Sequence, residues 1–227
     1  MTFDRALAES WDRNAANWTR VVRESLIPSR GAGTDAAILD AIAERAPRRL
    51  LDIGCGEGWL IRAAAALTGC ACVGIDGAAA LIEAARGVDP ANAYHVLDYN
   101  DFAAADIGAE FDVAVFNYSL FAEDIAPLLH AAAGRLAPGG VVLIQTLHPG
   151  AGEKDGWRSE DFAAFAGGDW VSMPWYYRSL DSWRTAVARA GLGVREMREP
   201  KSEDGRVLSL LLVCAILQSD SLDENIL

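Results

Sequence analysis

The residues with the clearest chemical potential are an acid and three alternating glycines. In the stretch RRLLDIGCGEGWL, residues 48–60, Asp52 ends an apolar run and Gly54, Gly56 and Gly58 follow it. Glycine lets the backbone turn tightly or lets a ligand approach it closely. The dinucleotide-binding pattern G-x-G-x-x-G would put its third glycine where this chain has Trp59, so a loop of that type is not expected. An acid before the glycines suits a ligand that carries positive charge.

Other polar residues follow apolar runs in the same way. Asp76 ends CACVGID, Asp98 ends AYHVLD, Asn117 ends FDVAVFN, and His148 comes just after VVLIQTL. In a doubly wound parallel sheet, ligands bind in the crevice at the C-terminal ends of the strands. We therefore expect these four side chains to lie at the same edge of the sheet as Asp52.

The elements that must position these residues alternate between helix and strand, which predicts a parallel α/β sheet. Helices are expected over residues 4–27, from Thr34 or Asp35 to about Glu44, and over 59–68, 78–87, 124–136 and 180–190. Strands are expected over residues 48–53, 70–76, 93–98, 111–117, 141–147, 192–199 and 207–217.

The alternation stops at residues 148–178, which are rich in glycine and aromatic residues. Long connections of this kind are usually lids or binding loops, so we expect an insertion that covers the acceptor site. The whole pattern predicts a single domain over residues 1–217, with a helical cap at 1–33 and a flexible tail at 218–227.

Composition narrows the class of partner. The net charge of −12 argues against nucleic acid and against an anionic membrane surface, because both bind Lys and Arg clusters, and it leaves a small molecule as the expected partner. The longest apolar run, residues 207–217, is too short to span a bilayer. The N-terminus has no secretory signal pattern, and the four cysteines suggest free thiols, so a cytoplasmic location is expected. The sequence leaves the oligomeric state open.

Five segments in order resemble the motifs of the class I S-adenosylmethionine-dependent methyltransferases. They are LLDIGCGEGWL, VGID, LDYND, FDVAVFNYSL and LAPGGVVLI, and the likeness is close over about residues 35–147. The resemblance implies a Rossmann-like, mostly parallel sheet of seven strands with an antiparallel last strand and helices on both faces. It also implies S-adenosylmethionine as the cofactor and S-adenosylhomocysteine as its product.

The same resemblance implies roles for the polar residues. Asp52 would take the amino group of the cofactor, Asp76 its ribose hydroxyls, and Asp98 its adenine amino group. Asp76 could equally serve as a helix N-cap, because aspartate favours that position. The full set of expected cofactor-binding residues is Asp52, Gly54, Cys55, Gly56, Gly58, Asp76, Gly77, Asp98, Tyr99, Asn117, Tyr118, Trp18 and Arg30.

Trp18 and Arg30 belong to this set because the segment WDRNAANW resembles the leading helix of small-molecule methyltransferases, including those of quinone biosynthesis. Arg30 would be available for a carboxylate. Trp11, in the same segment, is better explained as a core residue.

The acceptor side is less defined. His148 is the best-placed candidate for the base that an oxygen acceptor needs, although a histidine before proline can be purely structural. Trp175, Tyr176, Tyr177 and Arg178 suggest binding of a planar or aromatic acceptor, which could be anionic. The fifth strand ends without the acids of metal-dependent relatives. The sequence therefore favours metal-independent O-methylation of a small molecule.

Two other functions stay open. One is an NAD(P)-dependent oxidoreductase, against which Trp59 and the lack of a Tyr-x-x-x-Lys pair argue. The other is a non-catalytic S-adenosylmethionine-binding regulator, which only turnover of an acceptor would distinguish from an enzyme.

Overall fold

A seven-stranded sheet forms the centre of the protein, as a computed structural model describes it for residues 3–150, 153–165 and 167–217. The strand order is β3-β2-β1-β4-β5-β9-β8. Neighbours from β3 to β5 run parallel, and β9 runs antiparallel to both β5 and β8. The strands are β1 Arg49–Ile53, β2 Ala71–Asp76, β3 Ala93–Val96, β4 Phe111–Asn117, β5 Leu136–Thr146, β8 Leu192–Arg198 and β9 Leu210–Ile216. The predicted fold class is confirmed.

Helices cover both faces of this sheet. Leu129 and Trp183 belong to one core cluster, while Ile38, Leu60 and Ile82 belong to a second one. The strands between the two clusters are therefore buried on both faces, which explains their continuous apolar runs. The helices are α1 Phe3–Arg23, α2 Asp35–Ala43, α3 Trp59–Thr68, α4 Ala79–Val88, α5 Ala126–Ala133 and α6 Leu180–Arg189.

The first helix ends earlier than the sequence predicts, at Arg23 instead of residue 27. Ser25 takes a left-handed backbone conformation with φ of 55°, its amide donates to the Val22 carbonyl, and the Leu26 amide donates to the Val21 carbonyl. This pair of hydrogen bonds is a Schellman motif, which terminates a helix.

Thr34 precedes α2 as expected, but it does not cap the helix through its side chain. Its hydroxyl donates to the Ser29 carbonyl, within a wide helical turn over Arg30–Thr34 that is kinked at Gly33. Other boundaries differ as well: α4 continues through Gly87, α5 is shorter than predicted, β5 begins at Leu136, β3 ends at Val96 and β9 begins at Leu210. The segment APGG at residues 137–140, for which the sequence predicts a turn, lies inside β5 as an irregularity, because the pairing with β4 shifts between Phe111 and Val113.

The insertion predicted at 148–178 contains a small antiparallel sheet that sequence reasoning missed. Strands β6 Gly156–Glu160 and β7 Met173–Tyr177 pair so that Glu160 lies opposite Met173. We call residues 153–177 the β6–β7 arm. The predicted domain bounds stay a prediction, and the expected flexible tail lies outside the described residues.

Helix α1 holds the arm by three side chains spaced three residues apart. Asn14 donates to the Val171 carbonyl at 2.7 Å and accepts from the Val171 amide at 2.8 Å. Asn17 donates to the Asp169 carbonyl, and Arg20 donates to the Gly167 carbonyl. Because this spacing puts all three side chains on one face of the helix, α1 and the arm form one cover over the edge of the sheet.

Candidate active site

A cavity of about 670 Å³ lies between the C-terminal ends of β1, β2 and β4, helix α1 and the β6–β7 arm. The strand order reverses between β1 and β4, and such a switch point is where doubly wound sheets bind ligands. The volume is in the range of pockets for small organic molecules. The expected residues that line it are Trp18, Arg30, Gly54, Cys55, Gly56, Asp76, Gly77, Asp98, Tyr99, Asn117, Tyr118 and Trp175.

The glycine loop is fixed by backbone hydrogen bonds to the neighbouring strand. The amides of Gly54 and Cys55 both donate to the Ile75 carbonyl, at 2.8 and 2.9 Å. Gly54 has φ of +81°, and a Cβ on it would lie 2.4 Å from both Ser119 Cβ and the Tyr99 hydroxyl. Only glycine fits this position without a shift of these neighbours, and the residue lines the cavity.

Gly58 differs from the two glycines before it, because it does not line the cavity. It precedes α3 with φ of +82°, and a Cβ there would lie 2.8 Å from the Tyr94 ring. The structure thus accounts for Gly58 by close packing at the start of a helix, and it does not bring this residue to the expected ligand.

Asp52 is buried at the end of β1 and is 1% exposed. Within the described residues its Oδ1 atom has no hydrogen-bond partner. Burial, with a smaller contribution from the charge of Asp76, raises the pKa of Asp52 to about 8. Asp52 itself is not among the residues that line the cavity. A buried carboxylate oxygen without a partner is costly unless a donor reaches it, so this atom fits the amino group of the expected cofactor, directly or through water.

Asp76 organises the loop as well as the cavity wall. Its Oδ2 accepts from the Gly56 amide and its Oδ1 from the Ala78 amide, both at 2.9 Å. Burial raises the pKa of this carboxyl, and these two hydrogen bonds oppose the shift. Ala78, not Asp76, is the N-cap residue of α4. Since each carboxylate oxygen has a further lone pair, the observed bonds leave acceptors for ribose hydroxyls.

The next two strand ends supply the remaining expected residues. Asp98 is exposed, and its Oδ1 accepts from the backbone amide and the side-chain amide of Asn100. The buried Tyr99 hydroxyl donates to the Ser119 carbonyl at 3.3 Å, and burial raises its pKa. Asn117 Oδ1 is buried and, within the described residues, has no partner. Together with Asp52 Oδ1, it is a second buried acceptor that fits a ligand donor.

Tyr118 has a left-handed backbone with φ of 53°, which is unusual for a bulky residue. Its amide donates to the Gln145 carbonyl at 2.8 Å, so β5 holds this conformation in place. Ser119, which the sequence analysis did not select, donates from its hydroxyl to the Ile53 carbonyl at 2.7 Å. This segment therefore joins the ends of β1, β4 and β5 at the cavity.

Arg30 lines the cavity beside Trp59. Its guanidinium carbon lies 4.1 Å from the centre of the Trp59 ring, and its Nε is 2.9 Å from an Asp35 oxygen. Its Nη1 atom is buried and has no partner within the described residues. Trp59, which occupies the position of a third dinucleotide glycine, therefore serves as a stacking surface for a cavity-lining cation.

The lining is strongly acidic. Among the described lining residues, Arg30 is the only basic side chain, and Asp35 partly neutralises it. The acidic lining residues are Asp12, Asp35, Glu57, Asp76, Asp98, Asp124 and Glu160. The electrostatics of the cavity therefore favour ligands with positive charge.

Helix α1 is fastened to the glycine loop by a buried ionic group that sequence reasoning missed. Glu57 is 1% exposed and accepts from Arg23 at 2.9 Å and from Arg62 at 2.8 Å. Trp18 Nε1 lies 3.8 Å from where a Cβ on Gly56 would be. The signal in the sequence was an acid between two glycines, which can be stabilised in a buried position only when basic residues reach it.

Three of the four residues expected to bind the acceptor lie outside the cavity lining. Trp175 lines it, but Tyr176 projects from the other face of β7, as alternation along a strand requires. The Tyr177 hydroxyl donates to the Gly150 carbonyl at 3.1 Å. Arg178 is 3% exposed and donates to the carbonyls of Ala122 and Glu123.

Burial lowers the pKa of Arg178 to about 10, and its guanidinium also lies over the rings of Tyr176 and Trp183. A buried cation has to satisfy its donors within the protein, and this one does so by fastening the arm to the segment after β4. Arg178 is therefore not placed to bind an anionic acceptor, and the expectation of such an acceptor depended on this residue.

His148 is also outside the lining. Its Nε2 lies 2.9 Å from Glu199 Oε1, in a partly exposed pair. The neighbouring Leu147 lines the cavity instead. The structure thus favours the structural interpretation of this histidine over the role of a base.

Several apolar lining residues were missed or misjudged. Trp11, interpreted as a core residue, lines the cavity and contacts the rings of Trp18 and Phe121. Phe162 and Phe165 of the arm line it too. They could not be found from the sequence, because the fold of an irregular connection decides which of its rings point inward.

The part of the chain that the structure describes has neither a metal-binding cluster nor a membrane-spanning helix. In residues 3–150, 153–165 and 167–217, no group of three or more His, Cys, Asp or Glu side chains is placed to hold a metal ion. No helix in the same part of the chain is long and apolar enough to cross a membrane.

Comparison with known proteins gives one family match and many matches of fold. The family model described as a methyltransferase domain matches residues 32–197. No curated protein sequence matches the chain.

Three solved structures illustrate the likeness of fold. The sugar N-methyltransferase KedS8 of Streptoalloteichus is 19% identical, with a TM-score of 0.62 over 81% of this chain and 86% of its own. The 1,6-didemethyltoxoflavin-N1-methyltransferase of Burkholderia thailandensis, solved with S-adenosylhomocysteine, is 16% identical, with a TM-score of 0.67 over 95% and 89%. An S-adenosylmethionine-dependent methyltransferase of Mesorhizobium loti is 22% identical, with a TM-score of 0.58 over 77% and 95%.

Proposed function

The chain belongs to the methyltransferase domain family, and on this premise we propose that it transfers a methyl group from S-adenosylmethionine to a small-molecule acceptor in the 670 Å³ cavity. The observation that carries the proposal is the partnerless Oδ1 of Asp52 beside the Gly54–Gly56 loop at the switch point of the sheet. This oxygen would accept a hydrogen bond from the amino group of the cofactor, which is positively charged at neutral pH.

The other end of the amino acid moiety has a candidate partner in the turn that precedes α2. Arg30 Nη1 is a buried donor without a partner in the described part of the chain, and it would bind the cofactor carboxylate. Stacking on Trp59 and the ion pair with Asp35 hold the guanidinium in place for this contact. Asp52 and Arg30 thus fit the two charges of a zwitterion.

The adenosyl group would occupy the ends of β2 and β3. Asp76 would accept from the ribose hydroxyls, beside Gly77, where a Cβ would meet no atom within 4 Å. Asp98 would accept from the adenine amino group, and Tyr99 would contact the ring. The mainly acidic lining supports a ligand that is a cation at its sulfur.

When bound, the cofactor supplies an electrophilic methyl group on a sulfonium sulfur. Asn117 and Tyr118 would lie beside this group, at the end of β4. The chain contributes mainly by positioning, because an in-line displacement depends on holding both reactants at the right distance and angle. The cover formed by α1 and the β6–β7 arm, with Trp18 above Gly56, would exclude water from the reacting groups.

The proposal also has to specify which atom accepts the methyl group and whether the reaction needs a metal ion. O-methylation, as the sequence favours it, depended on His148 as a base, and the contact of His148 with Glu199 outside the cavity removes this support. Metal independence stays a prediction, which activity measured with and without a chelator would test.

The proposal is tested by measuring the melting temperature with S-adenosylhomocysteine and, separately, with NAD. A ligand that binds only the folded state must raise the melting temperature. A shift with S-adenosylhomocysteine alone is expected. A shift with NAD alone would favour the oxidoreductase, and S-adenosylhomocysteine binding without turnover of any acceptor would favour the regulator.

A further inference from the structure

The wall of the cavity that the β6–β7 arm contributes carries a single carboxylate, Glu160. It lies opposite Met173 in the pairing of β6 with β7, and both side chains line the cavity. The amide of Tyr176 donates to the Phe121 carbonyl at 2.8 Å, which joins β7 to the segment that follows β4. Glu160 therefore brings a carboxylate from the arm to the lining of the cavity that holds the expected acceptor.

Only one oxygen of this carboxylate is engaged. Glu160 Oε1 accepts from the Phe162 amide at 2.8 Å, while Oε2 makes no hydrogen bond or ion pair within the described residues. The side chain is half-buried. Glu160 contacts Phe162 through this hydrogen bond and pairs with Met173, and Phe121, Phe165 and Trp175 line the same cavity.

The described residues provide no cation to neutralise Glu160. Arg158, on the same strand, does not line the cavity: it stacks on Tyr177 and donates to the carbonyls of Trp157 and Lys154. Asp124, by contrast, lines the cavity but has Arg189 as its ionic partner at 3.3 Å. Glu160 is thus a cavity carboxylate that lacks an internal counter-ion.

A carboxylate among aromatic rings is the usual environment for binding an organic ammonium ion, because the ring faces and the carboxylate both attract positive charge. We propose that the acceptor is a small primary or secondary amine, that Glu160 binds it as its ammonium ion, and that the methyl group is transferred to its nitrogen. This proposal rests on the proposed function and specifies its substrate class.

The chemistry balances without a dedicated strong base. The ammonium ion first loses one proton to solvent, before water is excluded from the reacting groups, which gives the amine a free electron pair. The nitrogen donates this pair to the methyl carbon, and the bond between carbon and sulfur breaks with its electrons left on sulfur. The products are a methylated ammonium ion and the neutral thioether. This reaction fits a cavity whose histidine candidate, His148, lies outside its lining.

The experiment uses matched sets of small acceptors that differ only in the functional group. Phenethylamine, phenethyl alcohol and 3-phenylpropanoate form one set, and an aminosugar with its parent sugar forms another. Binding is measured as the melting shift in saturating S-adenosylhomocysteine, and transfer as the release of S-adenosylhomocysteine from the methyl donor. We expect at least one amine to bind and react, and its alcohol or acid partner to do neither.

Variants with a matched structural change separate binding from folding. Glu160→Gln keeps the hydrogen bond with Phe162 but removes the charge, and we expect kcat/KM for the amine to fall about ten- to a hundredfold, mainly through KM. Asp161→Asn is the control: Asp161 also accepts from a backbone amide two residues on, that of Ala163, but does not line the cavity. It should leave kcat/KM within about twofold.

The amine proposal would be overturned by preferential binding of the alcohols or acids, or by an unchanged KM for the amine in Glu160→Gln. Failure of every amine to bind would overturn it as well. The melting shift with S-adenosylhomocysteine alone keeps this failure distinct from failure of the proposed function, because that shift requires no acceptor.

Discussion

Arg23 and Glu57 connect the end of the first helix to the glycine loop, with Nε and Oε2 2.9 Å apart. Glu57 is almost fully buried, while Arg23 is 37% exposed. Arg23 also donates to the Ala84 carbonyl of α4. One side chain of α1 therefore contacts two of the segments that enclose the expected cofactor.

Replacing this arginine should weaken cofactor binding more than it weakens the fold. In Arg23→Gln, Glu57 keeps its ion pair with Arg62, so the buried charge retains a counter-ion. We expect the affinity for S-adenosylhomocysteine to fall about tenfold, because α1 loses an ion pair to the loop that contributes about 1.4 kcal/mol. Isothermal titration calorimetry measures this change.

Arg5→Gln provides the control for Arg23→Gln, because the Arg5–Glu9 pair lies on the exposed surface of the same helix. It should leave the affinity unchanged. Equal losses of affinity in the two variants would mean that α1 responds as a whole and that the Glu57 contact has no special part in binding.

The raised pKa of Asp52 makes both stability and binding depend on pH. Because its pKa is about 8 in the folded protein against 3.8 as its usual value, the folded state binds more protons than the unfolded state between these values. This carboxyl therefore lowers stability as the pH rises through that interval, with a slope of up to about 1.4 kcal/mol per pH unit. Above the folded pKa the loss is complete.

The affinity for S-adenosylhomocysteine should change in the opposite direction. A cationic amino group binds the ionised carboxylate, so affinity should rise from pH 6 to pH 8. Asp52→Asn should abolish this rise and raise the stability of the ligand-free protein at pH 8. Titration calorimetry and urea unfolding at several pH values test both effects. If the affinity of the native protein does not change with pH, Asp52 does not bind the amino group of the ligand.

The geometry of His148 predicts a weak effect of its removal. The ring contacts Glu199 at 2.9 Å and does not line the cavity, so His148→Ala should keep kcat/KM within about twofold for whichever acceptor reacts. Glu199→Gln, which breaks the same contact from the other side, should behave alike. A loss of turnover greater than tenfold in His148→Ala alone would restore the histidine as the base.

The tight packing around Gly54 predicts a large cost for a single methyl group. A Cβ there would lie 2.4 Å from Ser119 Cβ and from the Tyr99 hydroxyl, and the residue has φ of +81°. We expect Gly54→Ala to lower the free energy of unfolding by about 2–3 kcal/mol or more. Denaturation in urea, with and without S-adenosylhomocysteine, measures the loss.

Gly87→Ala is the matched control for Gly54→Ala. Gly87 lies in α4, and a Cβ on it would meet no atom within 4 Å. Alanine should stabilise the helix there by about 0.5–1 kcal/mol. If both variants lose a similar amount of unfolding free energy, the contacts around Gly54 do not cause the destabilisation of Gly54→Ala.

The sequence predicted the sheet because apolar runs that form buried strands alternate regularly with amphipathic helices. The chain direction then determines which polar residues lie at the C-terminal ends of the strands. Asp76 and Asn117 reach the cavity for this reason. The resemblance to methyltransferases added the strand count and the cofactor.

Side-chain direction in irregular segments was beyond such reasoning. Arg178 and His148 have the right residue types for an acceptor site, but each satisfies its polar atoms elsewhere, with backbone carbonyls or with Glu199. Glu57 and Glu160 were missed because their importance depends on what the fold places around them: Arg23, 34 residues away, together with Arg62 for Glu57, and no cation among the described residues for Glu160.

The contacts between α1 and the arm also bear on the order of events during synthesis. Asn14, Asn17 and Arg20 emerge from the ribosome early, but their partners follow 157, 152 and 147 residues later. Such distant pairings form late in folding, because a long loop has to close first. Strands β1 to β5 can thus pair while the contacts between α1 and the arm are still unformed, and the cavity can be covered only after the arm has been translated.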